Sequence, residues 1–160
     1  MQWFRVSAVV LMLLTLTACG AGRTLVVAPG ERDVRVSTMA IQSAKANVDV
    51  PDSVEQTFRN ELSKKLYKSG GFSQGDQLTL RYRFIGFEEG SRLKRWLIGG
   101  LGNAGEASIV VQVGFYQAEK QLSQIQVEGK IGSGMYGGSV SSAVKKAANE
   151  AASYALQTYH

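Results

Sequence analysis

The chain has 160 residues, a formal net charge of +5 at pH 7, one cysteine and one histidine. That length is enough for one domain with a real core. The lone cysteine excludes an internal disulfide, and the lone histidine, His160, is the last residue, so no His/Cys/carboxylate cluster with metal-ligand spacing exists.

The first stretch is a leader. "MQWFRVSAVVLMLLTLTAC" carries one positive charge, Arg5, and then an apolar run from Val9 to Leu16. This is a secretory signal pattern, too short for a spanning helix. It ends in Leu16-Thr17-Ala18-Cys19, which resembles the lipobox of bacterial lipoproteins. The resemblance implies cleavage before Cys19, thioether lipidation of its sulfur and acylation, as by palmitate, of the new N-terminus. Several acyl chains anchor firmly where one anchors only marginally. The competing readings are an ordinary signal peptide with a chance cysteine, and an uncleaved anchor. Gly20 follows, with no Asp, which resembles sorting to the outer membrane rather than retention in the inner one. The expected division is 1–18 signal peptide, 19–33 lipidated N-terminus and tether, and 34–160 a single domain. The domain must then be stable without disulfides on its periplasmic face. Loss of Arg5 with the leader lowers the charge from +5 to +4. A basic chain ordinarily suggests nucleic acid, but the compartment argues against nucleic acid. Anionic headgroups or glycans are better acidic partners, beside a merely solvated basic surface.

Within 20–33, Leu25-Val26-Val27 has the composition of a small strand, and "VRVSTMAI" over 34–41 reads as a strand. Pro51 with Asp52 or Ser53 starts a helix, with Glu55 in its first turn. Val54, Phe58, Leu62 and Leu66 give it one apolar stripe. Lys64, Lys65 and Lys68 crowd its C-terminal end, where the dipole favours cations, and Gly70-Gly71 ends it.

Three alternating strands follow. In the first, Leu78, Leu80, Tyr82 and Phe84 share a face, opposite Thr79, Arg81, Arg83 and Ile85. In the second, Ala107, Ile109, Val111, Val113 and Phe115 share a face. After a polar turn around Ala118, the third puts Ile125, Val127 and Ile131 on its apolar face and Gln124, Gln126, Glu128 and Lys130 on its wet one. One-sided alternation predicts a mostly antiparallel sheet with one solvated face. The last segment is a helix with a Ser start, whose small face is Val144, Ala147, Ala148, Ala151 and Ala155. The order β-α-β-β-β-α predicts an α+β two-layer sandwich, the sheet covered by two helices.

The unusual stretch lies between the first two of those strands. Gly100, Gly102 and Gly105 spell G-x-G-x-x-G, but period-two alternation follows Gly105 where a dinucleotide site needs a helix. No Gly-Lys-Ser/Thr is present either, so no nucleotide is expected. Neither a cofactor nor a metal is expected. A Ser-His pair would have to recruit His160, whose terminal position predicts fraying. Glu88 and Glu89 are adjacent, so on a strand they point to opposite faces and cannot flank one bond without a bulge. No catalytic residue is assigned, and the chain reads as a non-enzyme. Arg92, Lys94 and Arg95 beside Trp96 are the candidate interaction residues. With Leu97, Ile98 and Leu101 they suit a lipid interface, a partner patch or a crossover that completes the core.

Phe87-x-x-Gly90-Ser91-Arg92-x-x-Arg95-Trp96, the Gly99–Gly105 run, "VDVP" before the first helix and "YGGSVSSAVKKAANEAASYA" at 136–155 carry a further similarity. Together they resemble a family of uncharacterised bacterial lipoproteins, a domain of unknown function, over most of 34–158. The resemblance implies the α+β fold and an envelope location, and no activity. Some members carry a basic residue where Glu106 stands. The residues explain the motif without a ligand. Gly90 and the glycines of 99–105, Gly100, Gly102 and Gly105 among them, let the backbone leave and rejoin the sheet. Arg92 and Arg95 point the same way if Ser91–Ile98 is helical, where they can bridge to Glu88, Glu89 or a carbonyl. The expected role is an outer-membrane-anchored lipoprotein, a non-enzymatic binding or structural accessory module. Its membrane contact is the lipid anchor, and its partner an envelope protein or glycan. The alternatives are an envelope hydrolase using carboxylates such as Glu88 and Glu128, and membrane-surface contact by residues 92–101.

Overall fold

The computed structural model describes residues 22–30, 34–69, 71–87, 108–130 and 139–160. Cys19, Gly90, Ser91, Arg92, Lys94, Arg95, Trp96, Gly100, Gly102 and Gly105 all lie outside these residues. The elements are strands β1 (Arg23–Ala28) and β2 (Thr38–Ser43), helix α1 (Asp52–Ser63) with a π-helical turn at Lys64–Lys68, strands β3 (Ser73–Gln74), β4 (Leu78–Phe87), β5 (Ser108–Gln117) and β6 (Lys120–Lys130), and helix α2 (Val140–Tyr159). The six strands form one mixed sheet in the order β1-β6-β5-β4-β2-β3. The β1–β6, β6–β5 and β5–β4 pairs are antiparallel, whereas β4–β2 and β2–β3 are parallel. The result is the expected α+β architecture, an open sheet with two helices.

Alternation builds the core. Leu78, Leu80, Tyr82 and Phe84 of β4, Ile109, Val111, Val113 and Phe115 of β5, and Ile125 and Val127 of β6 are all buried. They meet Val54, Phe58, Leu62 and Leu66 from the first helical segment and Ala147, Ala148, Ala151 and Ala155 from α2. The Phe58 ring packs 4.9 Å from Tyr82 and 5.5 Å from Phe84, both within the range of favourable tilted and edge-on contacts. Each such fully buried ring contributes on the order of 1.5–3 kcal/mol. The alanine face brings α2 close to the sheet, and the chain ends on a buried hydrogen bond between Ser123 Oγ and Tyr159 Oη at 2.6 Å.

The π turn keeps the helical stripe in place. An α-helix advances 3.6 residues per turn, so each four-residue step drifts by about 40° around the axis. By Leu66 the stripe Val54–Phe58–Leu62 would be leaving the core. The wider turn, closed by Ser69 N–H donating to the Lys64 carbonyl at 3.2 Å, takes up that drift, and Leu66 stays fully buried. Gly71 follows at φ +97°, a conformation that favours glycine. A Cβ there would lie 2.7 Å from the His160 Nε2.

Several expectations change. β1 lies within the stretch expected to be tether, and it belongs to the sheet. β2 begins at Thr38 rather than Val34, because Val36 N–H is taken by the Tyr159 carbonyl instead of a strand. His160 is held rather than frayed: its ring stands edge-on to Phe72 at 5.0 Å. Glu128, expected on the wet face, is only 4% exposed, beside Val110 at 2%. The far face of the sheet is therefore closed at one end, around β5 and β6.

Candidate functional site

Strand directions place the functional candidates. β1 starts at Arg23 opposite Glu128, and β6 ends at Lys130 opposite Ser108, the start of β5. β4 ends at Phe87 opposite Ile109. So the N-terminal start of β1, the 88–107 connection and the 131–138 connection all meet the sheet at the same end. Arg23 is four residues beyond Cys19, and four extended residues reach at most about 14 Å. The topology thus brings the attachment points of the lipidation candidate and of the basic-aromatic segment together, although those side chains lie outside the described residues.

The described charges at this end are mixed. Lys130 Nζ stands 3.4 Å from Glu128 Oε1, and Lys146 Nζ donates to the Lys130 carbonyl at 3.5 Å. Arg23 is exposed on the neighbouring strand. Asp49, in the β2–α1 connection, and Asp52, the first residue of α1, follow the end of β2 that points the same way as the end of β4. Both Glu128 oxygens are buried with no hydrogen bond among the described residues. The cavity beside it, lined by Arg23, Leu25, Val110, Gln126 and Val127, measures about 10 Å³. That is about the minimum for one water and far too small for a sugar ring. Glu88 lies outside the described residues, so convergence of the two carboxylates is not seen.

The far face of the sheet is polar away from this end. Arg81 Nε donates to Gln42 Oε1 at 3.1 Å, its Nη2 pairs with Glu119 at 3.3 Å, and its guanidinium sits 4.7 Å over the Tyr116 ring. These contacts satisfy the arginine within the sheet, as expected for a solvated face. On the helix side, a groove of about 420 Å³ runs between β2 and α1, lined by Ile41, Arg59, Ser63 and Tyr67 among others. Tyr67 Oη donates to the Met39 carbonyl at 2.9 Å, and burial raises the Tyr67 pKa above its ordinary value, partly offset by Arg59. No group of three or more potential metal ligands occurs among the described residues. Among them, too, no helix is long and apolar enough to cross a membrane.

A family profile for the domain of unknown function DUF4410 matches residues 23–135. The chain belongs to the DUF4410 family. The match begins at the first residue of β1, so the DUF4410 domain includes the strand that sequence reading left in the tether. No curated protein matches this DUF4410 chain. Among solved structures, it is similar to the PelC dodecamer from Paraburkholderia phytofirmans, at 14% identity and a TM-score of 0.55, covering 89% of this chain and 99% of that one. It also matches an inferred lipoprotein from Caulobacter crescentus CB15 at 16% identity, a TM-score of 0.43, and 74% and 84% coverage. At 14% identity, what the PelC likeness shows is the fold.

Sequence reading marked Leu25-Val26-Val27 as a small strand but left it in the tether, and it missed the groove, whose signal lies in Arg59 and Ser63, four residues apart on α1.

Proposed function

We propose that this DUF4410 chain is an envelope lipoprotein. Cys19, acylated, holds it at the periplasmic face of the outer membrane, where it acts as a non-enzymatic binding or structural module. One observation carries the reading: the sheet end that receives the chain from Cys19 also receives both long connections, so an anchored domain stands with that end toward the membrane. The leader and its lipobox pattern supply the anchor. The constricted surroundings of Glu128 weigh against the hydrolase alternative. PelC, the similar structure, is a dodecamer, and self-association is part of what we propose for this chain.

Cell fractionation tests the anchor. Wild-type protein is expected with the outer membrane, and Cys19→Ser in the soluble periplasmic fraction. Soluble wild-type protein, or a membrane-bound Cys19→Ser variant, defeats the reading.

A second reading is favoured by the same geometry. Because β4 and β5 open their connection at the anchored end, residues 92–101 are tethered near the headgroups. Direct surface contact by Arg92, Lys94, Arg95 and Trp96 then supplements the anchor, and liposome binding by the Cys19→Ser chain tests it.

A further inference from the structure

Among the described residues the sheet has two unfinished edges, and they are complementary. β1 is the terminal strand on one side, and its Leu25, Val26 and Val27 are 45%, 48% and 48% exposed. On the other side β3 pairs with β2 only at Thr38 and Met39. Ser37 and Met39 carbonyls accept from Ser73 and Gly75 on that side, whereas Ala44 N–H turns inward to the Tyr82 carbonyl. Alternation along β2 then points the backbone groups of Ile41 and Ser43 outward, where no described strand meets them.

We propose that β1 of one copy pairs with the open half of β2 in the next, head to tail, and that this is the contact by which the chain assembles. The inference rests on the self-association proposed above and names its interface. Three features of the fold commit it to a second copy.

The first is direction. β1 is antiparallel to β6, β6 to β5 and β5 to β4, while β2 is parallel to β4. When two copies lie side by side in the same orientation, β1 runs antiparallel to the neighbour's β2, and the sheet continues.

The second is reach. Through Ile125, Val113 and Tyr82, Val26 stands level with Ser43 across the sheet. Pairing Val26 with Ile41 and Thr24 with Ser43 therefore slides one copy two residues along the strands, about 7 Å. It uses only the straight part of β1, before the bulge between Val26 and Ala28.

The third is the match of faces. Thr24 Oγ1 donates to Glu150 of α2 at 2.9 Å, and Val26 pairs with the core-facing Ile125, so Thr24 and Val26 lie on the helix side of β1. Met39 is buried in the core and Ser43 Oγ donates to Glu55 of α1, which puts Met39, Ile41 and Ser43 on the helix side of β2. Pairing in this register drops the half-exposed Val26 into the 420 Å³ groove beside Ile41 and Tyr67. An apolar side chain thus covers an apolar groove wall while the backbones complete a ladder.

The experiment uses the full chain extracted in mild detergent. Its mass is measured by sedimentation, and neighbours are trapped with a short bifunctional thiol reagent. Wild type, carrying only Cys19, sets the background. The Val26→Cys, Ile41→Cys double variant is expected to give a ladder of covalent oligomers, and each single variant none beyond background. Val26→Lys, which sets an ammonium beside Arg59 in the groove, is expected to weaken self-association by about tenfold or more. Val26→Ile is expected to preserve it. Both sites sit outside the buried core, and circular dichroism checks that the fold is kept. A monomeric wild type defeats self-association and this interface together. An oligomeric wild type with no ladder from the double variant defeats the interface alone. Dimers from Val26→Cys by itself show two β1 edges meeting about a two-fold, which also overturns the head-to-tail pairing.

Discussion

The buried phenol of Tyr82 makes the fold sensitive to alkali. Its ring sits at 0% exposure between Phe58 and Phe84, and burial raises its pKa above the ordinary value of 10.0. A hydrogen bond with Ser43 partly offsets that rise, and the Glu55 carboxylate adds to it. The protonated phenol is neutral, so a raised folded value means that the native state holds the proton more tightly than the unfolded chain. The associated stability is fully present below about pH 10 and is lost as pH climbs through the raised value. Tyr67 acts in the same sense. Urea melts between pH 9 and 11 are expected to show a steeper fall for wild type than for Tyr82→Phe. Identical slopes would mean that Tyr82 ionises equally well in the folded state.

Among the elements, the contact that tolerates least change is that of α2 on β6. Gly129 lies where the first turn of α2 crosses the strand, and a Cβ there would land on the carbonyl of Ala143. Gly129→Ala must therefore lift the helix or bend the strand. A destabilisation of about 3 kcal/mol or more is expected, read from the urea midpoint. A loss below about 0.5 kcal/mol, the scale of an ordinary surface change, would show that the helix rides higher than the structure places it. Most elements were readable because their signals are local. The four-residue stripe of α1 and the period-two strands β4, β5 and β6 need only their own residues to be recognised. The alanine face of α2 likewise names its own burial. Pairing is different. The parallel β2–β4 alignment, the inclusion of β1 and the burial of Glu128 all depend on partners far along the chain. Leu25-Val26-Val27 has no alternation, because an edge strand near a bulge is not sorted cleanly into two faces. The π turn was hidden because exact four-residue spacing reads as an ordinary stripe until its angular drift is summed.

At the scale of the whole molecule, the start of β1, the end of β4, the start of β5 and the end of β6 share one end of the sheet, and the candidate residues gather there by attachment. The gathering itself was not legible in the sequence. Cys19 and Trp96 are far apart in the chain, and only the directions of β1, β4, β5 and β6 bring their attachment points together. If residues 92–101 touch the surface, the Cys19→Ser chain should bind liposomes rich in anionic lipid, and adding Arg95→Ala with Trp96→Ala should weaken that binding by about tenfold. The loss should shrink at high salt, since exposed charges are screened. Binding unchanged by the two substitutions would leave the lipid as the sole membrane contact.

β1 is the first element of the domain to be synthesised, yet its partner Glu128 lies 105 residues later, from 128 − 23. Until β6 exists, β1 lacks the strand it pairs with in the finished sheet. The exposed apolar run Leu25-Val26-Val27 is therefore made long before its own sheet can receive it. Closing so distant a contact is the slow kind of step in folding. The same short strand is thus a point where attachment, folding order and assembly compete for one backbone edge.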